Sequence, residues 1–191
     1  AFEQASLPGL TEEERIAQLT FVVIGAGPTG VELCGELRDF VAQDVPRLYK
    51  DLQKYVRVVL LEASDKVLMA FDGDLQEAAL EKLRSNEQGI AIDVRLSAGV
   101  QEVTEDEIFL SDGSTIKYAL SLWAAGIGTL DFVKEASASI PEQAQHADQA
   151  RGRLATDSWL RVVGAPHIFA FGDCAHVVES PYPATAQVAS Q

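Results

Sequence analysis

Thr20 to Phe40 reads TFVVIGAGPTGVELCGELRDF, and the rest of the chain is organised around it. Phe21, Val22, Val23 and Ile24 form an unbroken apolar run of strand length, rich in β-branched residues, as expected of a strand buried on both faces of a parallel sheet. Gly25, Gly27 and Gly30 follow at G-x-G-x-x-G spacing. From Val31 the apolar residues Val31, Leu33, Cys34, Leu37 and Val41 recur with helical period, so the order is strand, tight turn, helix. In that context each glycine has its own reason. Gly25 permits the sharp turn, Gly27 lets backbone amides approach a pyrophosphate, and Gly30 lets the helix pack closely on the strand with its N-terminus facing the phosphates.

Working outward, Thr11 and Glu14 fit a capping box ahead of a short helix that leads into the first strand. Asp44, Val45 and Pro46 predict a fresh helix running through Leu52. Val56 to Leu61, VRVVLL, is the second strand, and it ends on Glu62. An acid at the tip of the second strand accepts hydrogen bonds from the adenosine ribose, usually about 20 residues beyond the glycine turn. Glu62 lies 32 positions after Gly30, and the extra helical turns at 44–54 account for the excess.

Asp74 to Arg84 predicts an amphipathic helix and Ile90 to Leu96 a third strand. Gln101 to Val103, Ile108 to Leu110 and Ser114 to Lys117 predict an antiparallel meander, with a turn at Ser111-Asp112-Gly113. Tyr118 to Ala125 returns as an apolar strand closed by Gly126 and Gly128, where backbone can lie close to a ligand. Thr129 to Arg153 lacks a strong period and is expected to be a crossover linker with one helix. Leu154 to Val163 is extended, and His167 to Phe171 is expected to be a buried strand ending on Gly172-Asp173. Residues 182–191 predict the opening of a helix. The domain reading is therefore a lead-in at 1–19, a Rossmann-like α/β domain at 20–128, a connecting segment at 129–165, and part of a second dinucleotide domain at 166–191.

Composition narrows the partners. Fifteen Lys and Arg against 29 Asp and Glu give a formal net charge of -14, which disfavours nucleic acid and anionic membrane for most of the surface. No stretch has the ~18 to 20 apolar residues of a membrane span, and the first residues lack the pattern of a signal peptide. An anionic dinucleotide must then be held by local amides and a helix dipole. Cys34 and Cys174 have no C-x-x-C spacing, so neither a disulfide framework nor a zinc site is expected. Cys34 reads as a small core residue. His146, His167 and His176 are scattered and carry no ligand pattern.

Together, ASLPGLTEEER, FVVIGAGPTGVEL, LLEASDKVL, LWAAGIG, IFAFGDCA and PATAQVASQ resemble the type II (alternative) NADH:quinone oxidoreductases, flavoproteins of the pyridine nucleotide-disulfide oxidoreductase superfamily. The glycine and GD motifs are shared across the superfamily, whereas A-Q-x-x-x-Q is more particular to quinone-reducing members. With one glycine fingerprint and no C-terminal anchoring helices, the chain resembles an internal segment holding a nearly whole NADH domain and part of an FAD domain.

The resemblance implies electron transfer from NADH through FAD to a quinone, without proton pumping, in a protein peripheral to the mitochondrial inner membrane. A bacterial plasma membrane or a plastid is the alternative location, and a homodimer is allowed. It implies that Gly25, Gly27 and Gly30 hold the NADH pyrophosphate and Glu62 the ribose, with Glu32 near the nicotinamide and Ala125 and Gly126 beside it. Ala125 stands where relatives often have Thr. Gly172 and Asp173 would meet the FAD ribityl chain, and Gln187 and Gln191 the quinone and flavin edge. Two alternatives stay open: another flavin reductase of the superfamily, acting on ferredoxin or a disulfide, and a non-catalytic NADH-binding module.

Overall fold

The computed structural model describes residues 1–86, 89–126 and 128–181. The chain forms two compact units, Ala1–Gly126 and Ile127–Gln191. In the first unit the elements are α1 (Phe2–Ala5), α2 (Glu12–Gln18), β1 (Thr20–Ile24), α3 (Pro28–Gln43), α4 (Val45–Leu48), a 3-10 segment (Lys50–Tyr55), β2 (Arg57–Leu61), α5 (Gly73–Arg84), β3 (Asp93–Arg95), β4 (Val100–Val103), β5 (Glu107–Leu110), β6 (Thr115–Lys117) and β7 (Leu120–Trp123).

β1, β2, β3 and β7 make a sheet in the order β3-β2-β1-β7, with every pair parallel. All five residues of β1 are buried, as an apolar run covered on both faces requires. Alternation sorts their side chains. Val23, Val58, Leu60 and Val94 pack with Cys34 of α3 and Leu83 of α5. Val22, Ile24, Val59 and Leu61 pack instead against Ile108, Leu110 and Ile116 of the meander β4-β5-β6. The sheet thus lies between a helical layer and a small antiparallel layer. Each fully buried Val or Leu there contributes about 1.5–3 kcal/mol of transfer free energy.

The lead-in belongs to this unit's core. The Phe2 ring stacks near Phe21 and Tyr49, with centroids 6.0 and 5.1 Å away, over buried Leu19, Val41, Val45 and Leu52. The capping box of α2 is present in both directions, with Glu14 N–H donating to Thr11 Oγ1 and Thr11 N–H to Glu14 Oε2. The helix expected over 44–52 instead stops at Leu48, because Tyr49 turns out of helical geometry (φ -141°) and stacks on Phe2; a 3-10 segment follows. The third strand is shorter than the expected 90–96, and is paired only over Asp93–Arg95.

The second unit contains α6 (Asp131–Ala138), a 3-10 segment (Pro141–His146), α7 (Ala147–Ala150), β8 (Leu154–Thr156), β9 (Arg161–Val162), β10 (Ala165–Phe169), a 3-10 turn (Gly172–Cys174) and β11 (Ala175–Val177). Its sheet runs β10-β9-β8-β11. The segment expected to be a linker with one helix is more structured than that. Val133 of α6 packs on Leu154, Val162 and Ala165, and the side chain of Gln143, 3 % exposed, braces the sheet. Gln143 Nε2 donates to the carbonyls of Ala155 and Val163, and its Oε1 accepts from Ala155 N–H. Polar residues hid a folded segment.

The strand expected to be buried over 167–171 is an edge strand, β10, at 165–169, antiparallel to β9 and mostly exposed. Ile168, Phe169 and Phe171 are 43 %, 61 % and 71 % exposed. Burial of such a run needs neighbours on both sides, and β10 has one strand partner among the described residues. No helix among the described residues is long and apolar enough to cross a membrane. Gln187 and Gln191 lie outside the described residues, as does the helix expected over 182–191.

Candidate dinucleotide site

The order β3-β2-β1-β7 reverses direction at β1, so the topological switch point lies at the carboxyl ends of β1 and β7, where open α/β sheets take their ligands. The glycine turn occupies that point. Gly25 has φ +106°, a conformation for glycine, and a Cβ there would stand 2.7 Å from Ala125 N and 2.8 Å from its Cα. A Cβ on Gly30 would land on the Gly25 carbonyl oxygen and 3.4 Å from Val23 Cγ1. A Cβ on Gly27 would meet nothing within 4 Å. Two of the three glycines therefore let protein pack on protein, while the middle one faces open space.

Gly27 is also the N-cap of α3, with Pro28 in the first turn and no side chain capping the end. A helix start with uncapped amides and a positive dipole end is a place for an anion.

Glu62 follows β2 directly and reaches back to this turn. Its Oε2 accepts from Ala26 N–H at 2.7 Å, and its Oε1 accepts from the N–H and hydroxyl of Ser64, both at 2.8 Å. Partial burial pushes the carboxyl up, but the N–H groups of Ser64 and Ala26, the Ser64 hydroxyl and the Ala63 N–H together hold it below the usual glutamate range. Gly25 N–H donates to Leu61 O and Leu68 N–H to Ala26 O, each at 2.8 Å, so the segment after β2 grips the turn at several points.

Gly25, Gly27, Gly30, Glu62 and Ala125 thus come together at one end of the sheet. Gly126 (φ +58°) follows in the same strand exit, with open space at its Cα. Glu32 is exposed on α3, with no polar partner among the described residues. Gly172 and Asp173 stand in the second unit, on an exposed 3-10 turn; Asp173 lines a cavity of about 590 Å³ with Arg151, Arg153 and Cys174. Cys34 is buried, and burial pushes its thiol up to about 12 against the opposing pull of Arg38.

Sequence reasoning missed Ser64 and Leu68. A serine two residues after an acid is a local turn signal that points to Ser64. Leu68 carries no such signal, because a leucine at φ +51° is held there by its surroundings.

An uncapped helix start, a glycine turn with one open face and an ionised carboxylate at the neighbouring strand tip match the pattern of the dinucleotide-binding class of α/β folds. A family profile described as pyridine nucleotide-disulphide oxidoreductase matches residues 1–191, and the chain belongs to that family. It is similar to a probable NADH dehydrogenase of Dictyostelium discoideum, 42% identical over 191 residues, covering 100% of this chain and 40% of that protein. The mitochondrial external alternative NAD(P)H-ubiquinone oxidoreductase B3 of Arabidopsis thaliana is 43% identical over 181 residues, which is 93% of this chain and 30% of that one. Among solved structures, NDH2 of Plasmodium falciparum in complex with NADH superposes with a TM-score of 0.76 at 28% identity, over 92% of this chain and 36% of that one. The chain spans two-fifths or less of the length of each.

Proposed function

We propose that this chain is the NADH-binding part, with a portion of the FAD-binding part, of an alternative NADH:quinone oxidoreductase that does not pump protons. The observation that carries the reading is the turn at 25–30, where close packing explains Gly25 and Gly30 while Gly27, at an uncapped helix start, leaves an open face suited to an incoming anion. The relatives' names and the NADH-bound neighbour support it. In this reading the first unit cradles the NADH pyrophosphate on the amides at the start of α3. Glu62 takes the adenosine ribose, Glu32 lies toward the nicotinamide, and Ala125 and Gly126 border it.

In the second unit, Asp173 offers acceptors for the ribityl hydroxyls of FAD, with Gly172 (φ +73°) shaping the turn, while Arg151 and Arg153 line the same cavity with donors suited to phosphate. These residues fit one end of the cofactor. Flavin, when bound, supplies the redox chemistry between NADH and quinone, and this chain's groups position the two. Gln187 and Gln191 are assigned to the quinone side, on the resemblance of A-Q-x-x-x-Q alone. The location proposed is the mitochondrial inner membrane, as a peripheral enzyme; the mitochondrial relatives support the compartment.

NADH is preferred to NADPH, because a 2′-phosphate would meet the Glu62 carboxylate with like charge. Each tenfold preference needs about 1.4 kcal/mol. The test is the purified full-length protein, followed by flavin absorbance and by oxidation of NADH and NADPH with a soluble quinone. The reading predicts bound flavin, NADH-dependent flavin reduction, quinone turnover and a preference for NADH of at least tenfold. Flavin reduction without quinone turnover favours a different reductase of the superfamily, and NADH binding without flavin favours a non-catalytic module.

A further inference from the structure

We propose that Ser64 is a positioning residue of the dinucleotide site: it pins the Glu62 carboxylate against the glycine turn and fixes the direction in which its oxygens meet a ribose hydroxyl. This rests on the reading of the first unit as the NADH site.

An ionised carboxylate offers about four acceptor positions. Ser64 fills two on Oε1 through its N–H and hydroxyl, and Ala26 N–H fills one on Oε2. The Ala63 N–H also faces the carboxylate, so a ribose hydroxyl shares Oε2, the oxygen turned toward Gly25-Ala26-Gly27 and bonded by one N–H only. The Ser64 hydroxyl also lies 2.9 Å from the Lys66 carbonyl, but its single proton goes to the charged acceptor, which makes the stronger bond. Ala26 is held from its other side as well, by Leu68 N–H on its carbonyl, with Leu68 kept at φ +51°. The segment 62–68 therefore fixes Ala26, the residue between the two leading glycines, at both its N–H and its C=O. Without the Ser64 hydroxyl, one oxygen of Glu62 loses half of its support. The carboxylate then turns about its side-chain bonds, and both the amide of the turn and the ribose acceptor move with it.

The experiment is fluorescence titration with NADH of wild type, Ser64→Ala, Ser64→Thr, Glu62→Gln and the double variant Ser64→Ala/Glu62→Gln. Ser64→Ala is expected to weaken NADH binding about fivefold to tenfold, less than the full worth of one charge-assisted hydrogen bond because the loss reaches NADH only through Glu62. Ser64→Thr, which keeps the hydroxyl, is expected to restore it. In the Glu62→Gln background, where the uncharged amide oxygen holds the Ser64 hydroxyl more weakly, Ser64→Ala is expected to cost less than in wild type. A Ser64→Ala protein that binds NADH like wild type, or losses at the two positions that add, overturns the positioning role while leaving the NADH site standing. A folded wild type that binds no NADH overturns the dinucleotide reading, and the role of Ser64 with it.

Discussion

At the scale of the residue, the three glycines of one motif obey three different constraints. Gly30 is excluded from carrying a side chain by the Gly25 carbonyl, which is backbone and cannot step aside. Gly27 has ordinary φ (-72°) and open space, so nothing in the protein forbids an alanine there. Gly30→Ala is expected to cost about 1–3 kcal/mol of stability through forced displacement of helix and turn. Gly27→Ala is expected to stay within about 1 kcal/mol of wild type, the usual range for an N-cap change. Its NADH affinity should nevertheless fall at least tenfold, because the new methyl stands where the pyrophosphate approaches. Urea unfolding and NADH titration of both variants check this. A Gly27→Ala protein that keeps its affinity removes the ligand from that face.

At the scale of the element, β11 shows how a short strand is held by polar groups. His176 in its middle is 6 % exposed, with Nδ1 3.3 Å from Arg153 Nη2. A guanidinium only donates, so Nδ1 is the unprotonated acceptor and the ring is neutral. Burial first, then the charges of Arg153 and His146, lower its affinity for a proton below that of an ordinary histidine. The unfolded chain therefore takes up that proton first as the pH falls, and stability contributed by neutral His176 is present above the ordinary histidine range and lost below it. Urea midpoints are expected to drop between pH 7 and pH 5, and His176→Gln is expected to flatten that slope. An unchanged slope in the variant places the loss with other groups.

At the scale of the whole molecule, the proposed function asks a chain of net charge -14 to admit an anionic dinucleotide. The fixed amides of the turn act only at contact, whereas the acidic surface acts at a distance of about 10 Å at 0.1 M salt and farther at lower salt. Association of NADH is therefore opposed by the long-range field, and added salt should speed it. Stopped-flow fluorescence is expected to show the association rate constant rising severalfold from about 10 mM to 150 mM salt. A rate that falls with salt reveals a local positive field at the entrance that outweighs the net charge.

Much of the architecture was legible in the residues themselves. An unbroken β-branched run, a glycine turn and a 3.6-period segment specify strand, turn and helix by local sterics and burial pattern, and β1, α3 and the meander formed where those signals lay. Local signals failed where structure depended on distant partners. The polar segment at 129–153 folds because Gln143 bonds to Ala155 and Val163, and the apolar run at 167–171 stays exposed because it borders a sheet edge. The candidate site divides in the same way. The glycines and Glu62 were recognisable by type and spacing, but what Glu62 holds was settled by sheet register. Pairing of Ile24 with Leu61 sets residue 62 beside Ala26, 36 positions away in the chain, and only that alignment brings the carboxylate onto the amide of the turn.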